Sequence, residues 1–117
     1  MKLVKRISLS LILMLSLLTL ASCGLESYAN KINKKADKDE HYTYAEVVKK
    51  LDKDEIIDLT ASVAGVHSGI IIKIKGVTTL EELEAKIEAG EKVEGIRVVI
   101  TANKAVSAEY KVFDSAE

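Results

Sequence analysis

Residues 95–113 read GIRVVITANKAVSAEYKVF, and this stretch decides the fold. Ile96, Val98 and Ile100 alternate with Arg97, Val99 and Thr101. Beyond Ala102-Asn103-Lys104-Ala105, the residues Val106, Ala108, Tyr110 and Val112 alternate with Ser107, Glu109, Lys111 and Phe113. A period of two sends successive side chains to opposite faces of a strand. The stretch therefore predicts two antiparallel strands joined by a turn at 102–105. The same pattern occurs upstream. Ile57, Leu59, Ala61 and Val63 alternate with Asp58, Thr60 and Ser62; residues 64–69 (AGVHSG) look like a turn; Ile70, Ile72 and Ile74 then alternate with Ile71, Lys73 and Lys75 up to Gly76.

A helix precedes each strand pair. Thr43-Tyr44-Ala45-Glu46 is a capping-box sequence, and Tyr44, Val47, Val48 and Leu51 follow at helical spacing. Thr79-Leu80-Glu81-Glu82 repeats the signal before Leu80, Leu83 and Ile87, with Gly90 as the stop. The predicted class is α+β, in the order helix, strand, strand, helix, strand, strand. It implies a four-stranded antiparallel sheet with both helices on one face. That covered face would bear Ile72, Ile74, Val98, Ile100 and Tyr110. The opposite face would bear Ile71, Val99 and Phe113 beside Lys73, Lys75, Arg97 and Lys111. Two readings of this second set stay open: scattered surface apolar residues, or a partner-binding patch built on Ile71, Arg97, Val99 and Phe113. A closed OB-type barrel is the rival architecture, but it needs a fifth strand that the pattern does not supply.

The N-terminal part carries a different signal. Lys2, Lys5 and Arg6 form a positive head, Ile7 to Leu20 is an apolar run broken by Ser8, Ser10, Ser16 and Thr19, and Leu20-Ala21-Ser22-Cys23 closes it. Basic head, apolar middle and small-residue exit describe a secretory signal peptide. The apolar run is shorter than the ~20 residues that span a bilayer. With the chain's single cysteine placed here, the segment resembles the lipobox of bacterial lipoproteins. That resemblance covers residues 1–23 and implies cleavage between Ser22 and Cys23, a lipid on Cys23, and a location on the outer side of a cell membrane. The expected organisation is a signal peptide over 1–22, a flexible lipid-anchored tether over 23–41 and a small domain over 42–117. A second reading of the tether is open, because Leu25, Tyr28, Ala29 and Ile32 fall on one helical face. In the folded part, element order and the Tyr44–Leu51 segment (YAEVVKKL) faintly resemble half of a beta-lactamase inhibitory protein and related envelope lipoproteins. Such domains bind other proteins. Asp52-Lys53 stands where those have Gly-Pro.

Charge bounds the partners. The segment before Cys23 holds Lys2, Lys5 and Arg6 of 17 basic residues and none of the 18 acidic ones, so the remainder is negative by about four. This argues against nucleic acid as a partner. The lysines are interleaved with acids, which also argues against a polybasic membrane patch. With Cys23 lipidated, no disulfide is possible, so the fold rests on its core.

No motif of catalysis appears. His41 and His67 lack metal-ligand spacing. Ser62 and Ser68 stand near His67 without a nucleophile elbow. Asp37, Asp39 and Glu40 lack the spacing of a calcium loop, and Glu81 and Glu82 suit a helix N-terminus. No metal, cofactor or catalytic residue is expected. Three classes remain: a lipid-anchored, non-catalytic interaction module with a protein partner, a structural envelope protein, and, least supported, a small enzyme or OB-like ligand-binding domain.

Overall fold

In the computed structural model the described residues are 24–114, so Ser22, Cys23 and the predicted signal segment lie outside them, as do residues 115–117. The chain is α+β, as the alternation predicts. Helix α1 covers residues 24–37. It is followed by α2 (Tyr44–Leu51), a 3-10 turn (Lys53–Glu55), β1 (Ile57–Asp58), β2 (Ala61–Val63), β3 (Val66–Ile74), α3 (Leu80–Glu88), β4 (Val93–Thr101) and β5 (Lys104–Phe113). The strands form one antiparallel sheet in the order β1-β3-β4-β5, with β2 also paired to β3. The expected first strand is split in two. Asp58 accepts hydrogen bonds from the Thr60 backbone N–H (2.9 Å) and hydroxyl (2.6 Å), an Asx-type turn that takes Thr60 out of the ladder while Leu59 N still donates to Ile70 O at 2.8 Å. The additional strand comes from this split and leaves the sheet open, so the barrel reading is not met.

The segment expected to be a flexible tether is instead α1. Leu25, Tyr28, Ala29 and Ile32 form its apolar face; Tyr28, Ala29 and Ile32 are buried, Ile32 completely. Burial of that face, not the charged remainder, decides its state. Its end is fixed as well. Asp39 adopts a left-handed φ of 59°, and the N–H groups of Asp39 and Glu40 bond Ala36 O (3.0 Å) and Lys35 O (2.8 Å). These two bonds form a Schellman-type stop. Helix α2 starts as the sequence predicts: Thr43 Oγ1 accepts from Glu46 N (3.1 Å) and Glu46 Oε1 from Thr43 N (3.2 Å). At α3 the Thr79 hydroxyl accepts from Glu82 N at 3.1 Å.

Strand register corrects the expected placement of the helices. Ile71 pairs with Val98, Ile72 with Arg97, and Ile74 with Gly95. Directly paired residues share a face. Ile72 and Ile74 therefore lie opposite Val98 and Ile100, not beside them. One core holds Tyr28, Ala29 and Ile32 of α1, Val47 and Leu51 of α2, and Ile71, Ile96, Val98, Ile100 and Ala108 of the sheet. The other holds Ile57, Ile72, Ile74, Val77, Leu83 of α3, and Phe113. The helices thus cover both faces, α1 and α2 on one and α3 on the other. Gly95 permits the close approach of β3: a Cβ there would sit 2.3 Å from Lys73 O and 2.6 Å from Ile74 Cγ1.

Helix α1 also closes an edge. The Asn33 side chain donates to Ala108 O (2.7 Å) and accepts from Ala108 N (3.0 Å), standing in for a neighbouring strand along β5. Ala105 N donates to Tyr42 O at 2.8 Å, and Thr43 bridges Lys104. An unpaired edge strand invites pairing with other chains. Here the chain's own N-terminal part occupies the 104–108 portion.

Candidate interaction surface

The residues expected to make one partner-binding patch are not brought together. Ile71 is completely buried beneath α1 and α2, and Phe113 is buried with Leu83 on the α3 side. Both are core residues on opposite faces, so neither offers itself to a partner. Arg97 and Val99 alone keep partial exposure. They share the α3 side of the sheet with Ile70, since Ile70 pairs with Val99. The Arg97 guanidinium is bonded to Glu109, opposite it on β5. Lys73 turns to the other face and pairs with Glu55 at 2.9 Å.

A better-defined cluster forms where the two hairpin turns meet. Ala64 and Gly65 (φ 54° and 80°) turn β2 into β3, and Ala102 and Asn103 (φ 50° and 66°) turn β4 into β5. Asn103 fastens one turn to the other. Its Oδ1 accepts from His67 N (2.7 Å), and its own N–H donates to His67 O (2.9 Å). Ala102 N donates to Ser68 Oγ at 3.0 Å, and Tyr44 N donates to Asn103 O at 2.7 Å.

Above this junction the His67 ring stacks on Tyr44, with centroids 3.9 Å apart and planes 11° from parallel. The Tyr44 hydroxyl donates to Asp58. Burial raises the Tyr44 pKa, and the Asp58 hydrogen bond adds to it. For Asp58, burial pulls upward, but hydrogen bonds from Thr60 and Tyr44, with His67 nearby, outweigh it and hold the carboxyl below its usual value. His67 is therefore a partner in a turn-locking cluster. Ser62 lies across from it in the β2–β3 register, and Ser68 serves the turn. Among the described residues, no group of three or more His, Cys, Asp or Glu side chains is placed to hold a metal ion.

Beside this junction the surface is apolar. Leu59, Val63 and Val66 are 42%, 75% and 43% exposed, and Val63 pairs with Val66 across the hairpin. This end lies far from the start of α1. Leu25 lines a cavity of about 410 Å³ with Lys73, Ile74, Lys75 and Gly76, at the C-terminal end of β3. From Val66 to Ile74 a strand advances roughly 27 Å. The chain thus enters at one end of the sheet and presents its hairpins at the other.

The outer side of α1 and α2 carries a second feature. Tyr28, Lys31, Tyr42, Glu46, Lys49 and Lys50 line an open groove of about 570 Å³. The Tyr28 and Tyr42 rings lie 5.5 Å apart. Neither this groove nor the hairpin junction was legible in the residue pattern. The Thr43 capping box places Tyr44 on α2, but only tertiary pairing sets it against His67. Lysines and acids are interleaved along the chain, and Lys31, Lys49 and Lys50 come together, beside Glu46, only when the helices pack.

The chain matches no protein-family model, and no curated protein and no solved structure matches it either.

Proposed function

We propose that this chain is a lipid-anchored, non-catalytic interaction module on the outer side of a bacterial membrane, presenting its hairpin end to a protein partner. The observation that carries the reading is the order of elements around Cys23. A basic head, an apolar run and Ala21-Ser22-Cys23 are followed at once by helix α1, whose apolar face is part of the core. A lipid on Cys23 would attach directly to a packed element. The exposed Leu59, Val63 and Val66 lie near the opposite end of β3, facing away from such an anchor. The remaining acidic balance of about four charges fits a protein partner better than nucleic acid.

Each buried methylene contributes about 0.8 kcal/mol, and a single acyl chain anchors only marginally, so two or more chains on Cys23 are required. Fatty-acid labelling of cells expressing the chain, with and without Cys23→Ala, tests the anchor. The expected result is a labelled, membrane-bound wild type and an unlabelled variant that is either released or left uncleaved. Equal labelling and equal partition of both forms would sink the reading. For the partner, crosslinking from membranes should yield one stoichiometric protein with the wild type and lose it when Val63 and Val66 become Ser.

A further inference from the structure

Four lysines of the α1–α2 layer, Lys31, Lys35, Lys49 and Lys50, have no carboxylate partner among the described residues. Two of them lie on the groove's rings instead: the Lys35 ammonium is 4.6 Å from the Tyr42 centroid, and that of Lys50 is 5.9 Å from the Tyr28 centroid. The acid lining the groove is Glu46, and one of its oxygens is already held by Thr43 N. Tyr28 is only 6% exposed, and its hydroxyl has no hydrogen-bond partner among the described residues. It lines the groove as a protein donor without an acceptor. Burial, with Tyr42 and Glu46 nearby, pushes the Tyr28 pKa up to about 12, so the hydroxyl keeps its proton.

We propose that this groove binds the phosphate headgroup of an anionic phospholipid, so that the α1–α2 layer rests on the bilayer. The chemistry matches on each count. Ammonium groups without a carboxylate partner attract the phosphate, the Tyr28 hydroxyl donates to one of its oxygens, and the partly exposed Tyr42 ring suits the interface between headgroup and hydrocarbon. The choice of a bilayer over another anion rests on lipid attachment at Cys23, as proposed above. Tyr28 is five residues beyond Cys23, and along a helix that is about 7.5 Å. An anchored α1 therefore holds the groove within reach of the headgroups. The negative balance of the remaining chain opposes long-range attraction, which is screened beyond ~8 Å in physiological salt, while contact at the lysines is local. Each lysine near an anionic surface strengthens binding several-fold. With two or more chains on Cys23 already holding the protein to the membrane, the groove sets how the α1–α2 layer sits against it. The hairpin end is then left free.

The test uses the full chain in zwitterionic micelles, with phosphatidylglycerol added in steps and amide and ring resonances of Tyr28, Lys31, Lys49 and Lys50 followed. The proposal expects saturable shifts at these residues with phosphatidylglycerol and none with phosphatidylcholine. The response should weaken about tenfold or more in Lys31→Gln/Lys49→Gln/Lys50→Gln, whose remaining spectrum reports that it folds. Equal responses to both lipids overturn it. So does saturation by inorganic phosphate without preference for the lipid, which would make the groove a site for free phosphate. A response to polyglutamate but not to phosphatidylglycerol overturns it in favour of an acidic protein partner. The mass of the same sample reports Cys23 separately. A lipidated chain without a groove response overturns the groove alone. An unlipidated chain that still prefers phosphatidylglycerol supports the groove and overturns the anchor.

Discussion

On one side of the sheet two helices press on Ile71, Ile96, Val98 and Ile100; on the other a single helix covers Ile72, Ile74 and Phe113 and leaves Val99 and Arg97 half-exposed. The two sides draw on the same strands. Ile70, Ile71 and Ile72 are consecutive, as are Val98, Val99 and Ile100, so neither strand has a purely polar face. Such runs occur where both faces of a sheet are covered. The lesson concerns α1. A domain beginning at α2 would have one short helix for each face. Residues 24–37 thicken one side, and the chain gains a completely buried Ile32 and a fastened β5 edge.

The largest test of that difference is a pair of core truncations. Ile32→Ala on the α1–α2 side should cost about 3–4 kcal/mol, and Leu83→Ala beneath α3 about 2–3 kcal/mol, because Ile32 is the more completely enclosed. Chemical denaturation of the full chain measures both. An Ile32 effect below about 0.5 kcal/mol, the range of ordinary surface changes, would mean that α1 is a spacer after all.

A smaller effect is expected at the edge. Asn33→Ala removes both partners of Ala108 N and O and should cost about 1–2 kcal/mol. Hydrogen exchange should quicken at Ala108 before it does at Val98 in the sheet centre. Unchanged protection at Ala108 would show that β5 needs no cover on that edge.

The smallest effects concern pH and separate the two ends of the α1–α2 side. The Asp58 carboxyl is held below its usual 3.8, so its contribution is present above that value and is lost as the pH falls through the lower folded value. Asp58→Asn should flatten stability in that acid window. Tyr28 runs the other way. Its folded pKa, raised to about 12, gives a contribution present below pH 10 that is lost as the pH rises from 10 through 12. Tyr28→Phe should flatten the alkaline limb only. Asp58→Asn should also soften the alkaline limb through Tyr44, whose raised pKa the Asp58 hydrogen bond supports, whereas any change of the acid limb in Tyr28→Phe would break the assignment of the alkaline limb to Tyr28.

Much of this architecture was legible in the residues. The alternation over 95–113 predicted β4 and β5, and the Thr43 and Thr79 caps placed α2 and α3 within a residue. For residues 23–41 the charge run points to a tether, while the spacing of Leu25, Tyr28, Ala29 and Ile32 on one face points to the helix that is observed. The partner patch failed for a definable reason. Where both alternating sets of a strand are apolar, composition does not say which set meets which helix, and a shift of one residue exchanges the faces.

What the sequence determined by itself is therefore local: the class, the order of helices and strand pairs from α2 onward, the caps at Thr43 and Thr79, and the signal-like run ending at Cys23, whose lipid remains a proposal. These depend on neighbours within one helical turn or one strand pair. Tertiary structure decided that Ile71 and Phe113 enter different cores, that Asn33 serves the β5 edge, that His67 stacks on Tyr44, and that four lysines gather around Tyr28 and Tyr42. Each of these joins residues distant in the chain. The free energy that brings them together comes from burying the apolar faces of whole elements, and no short stretch of sequence contains it.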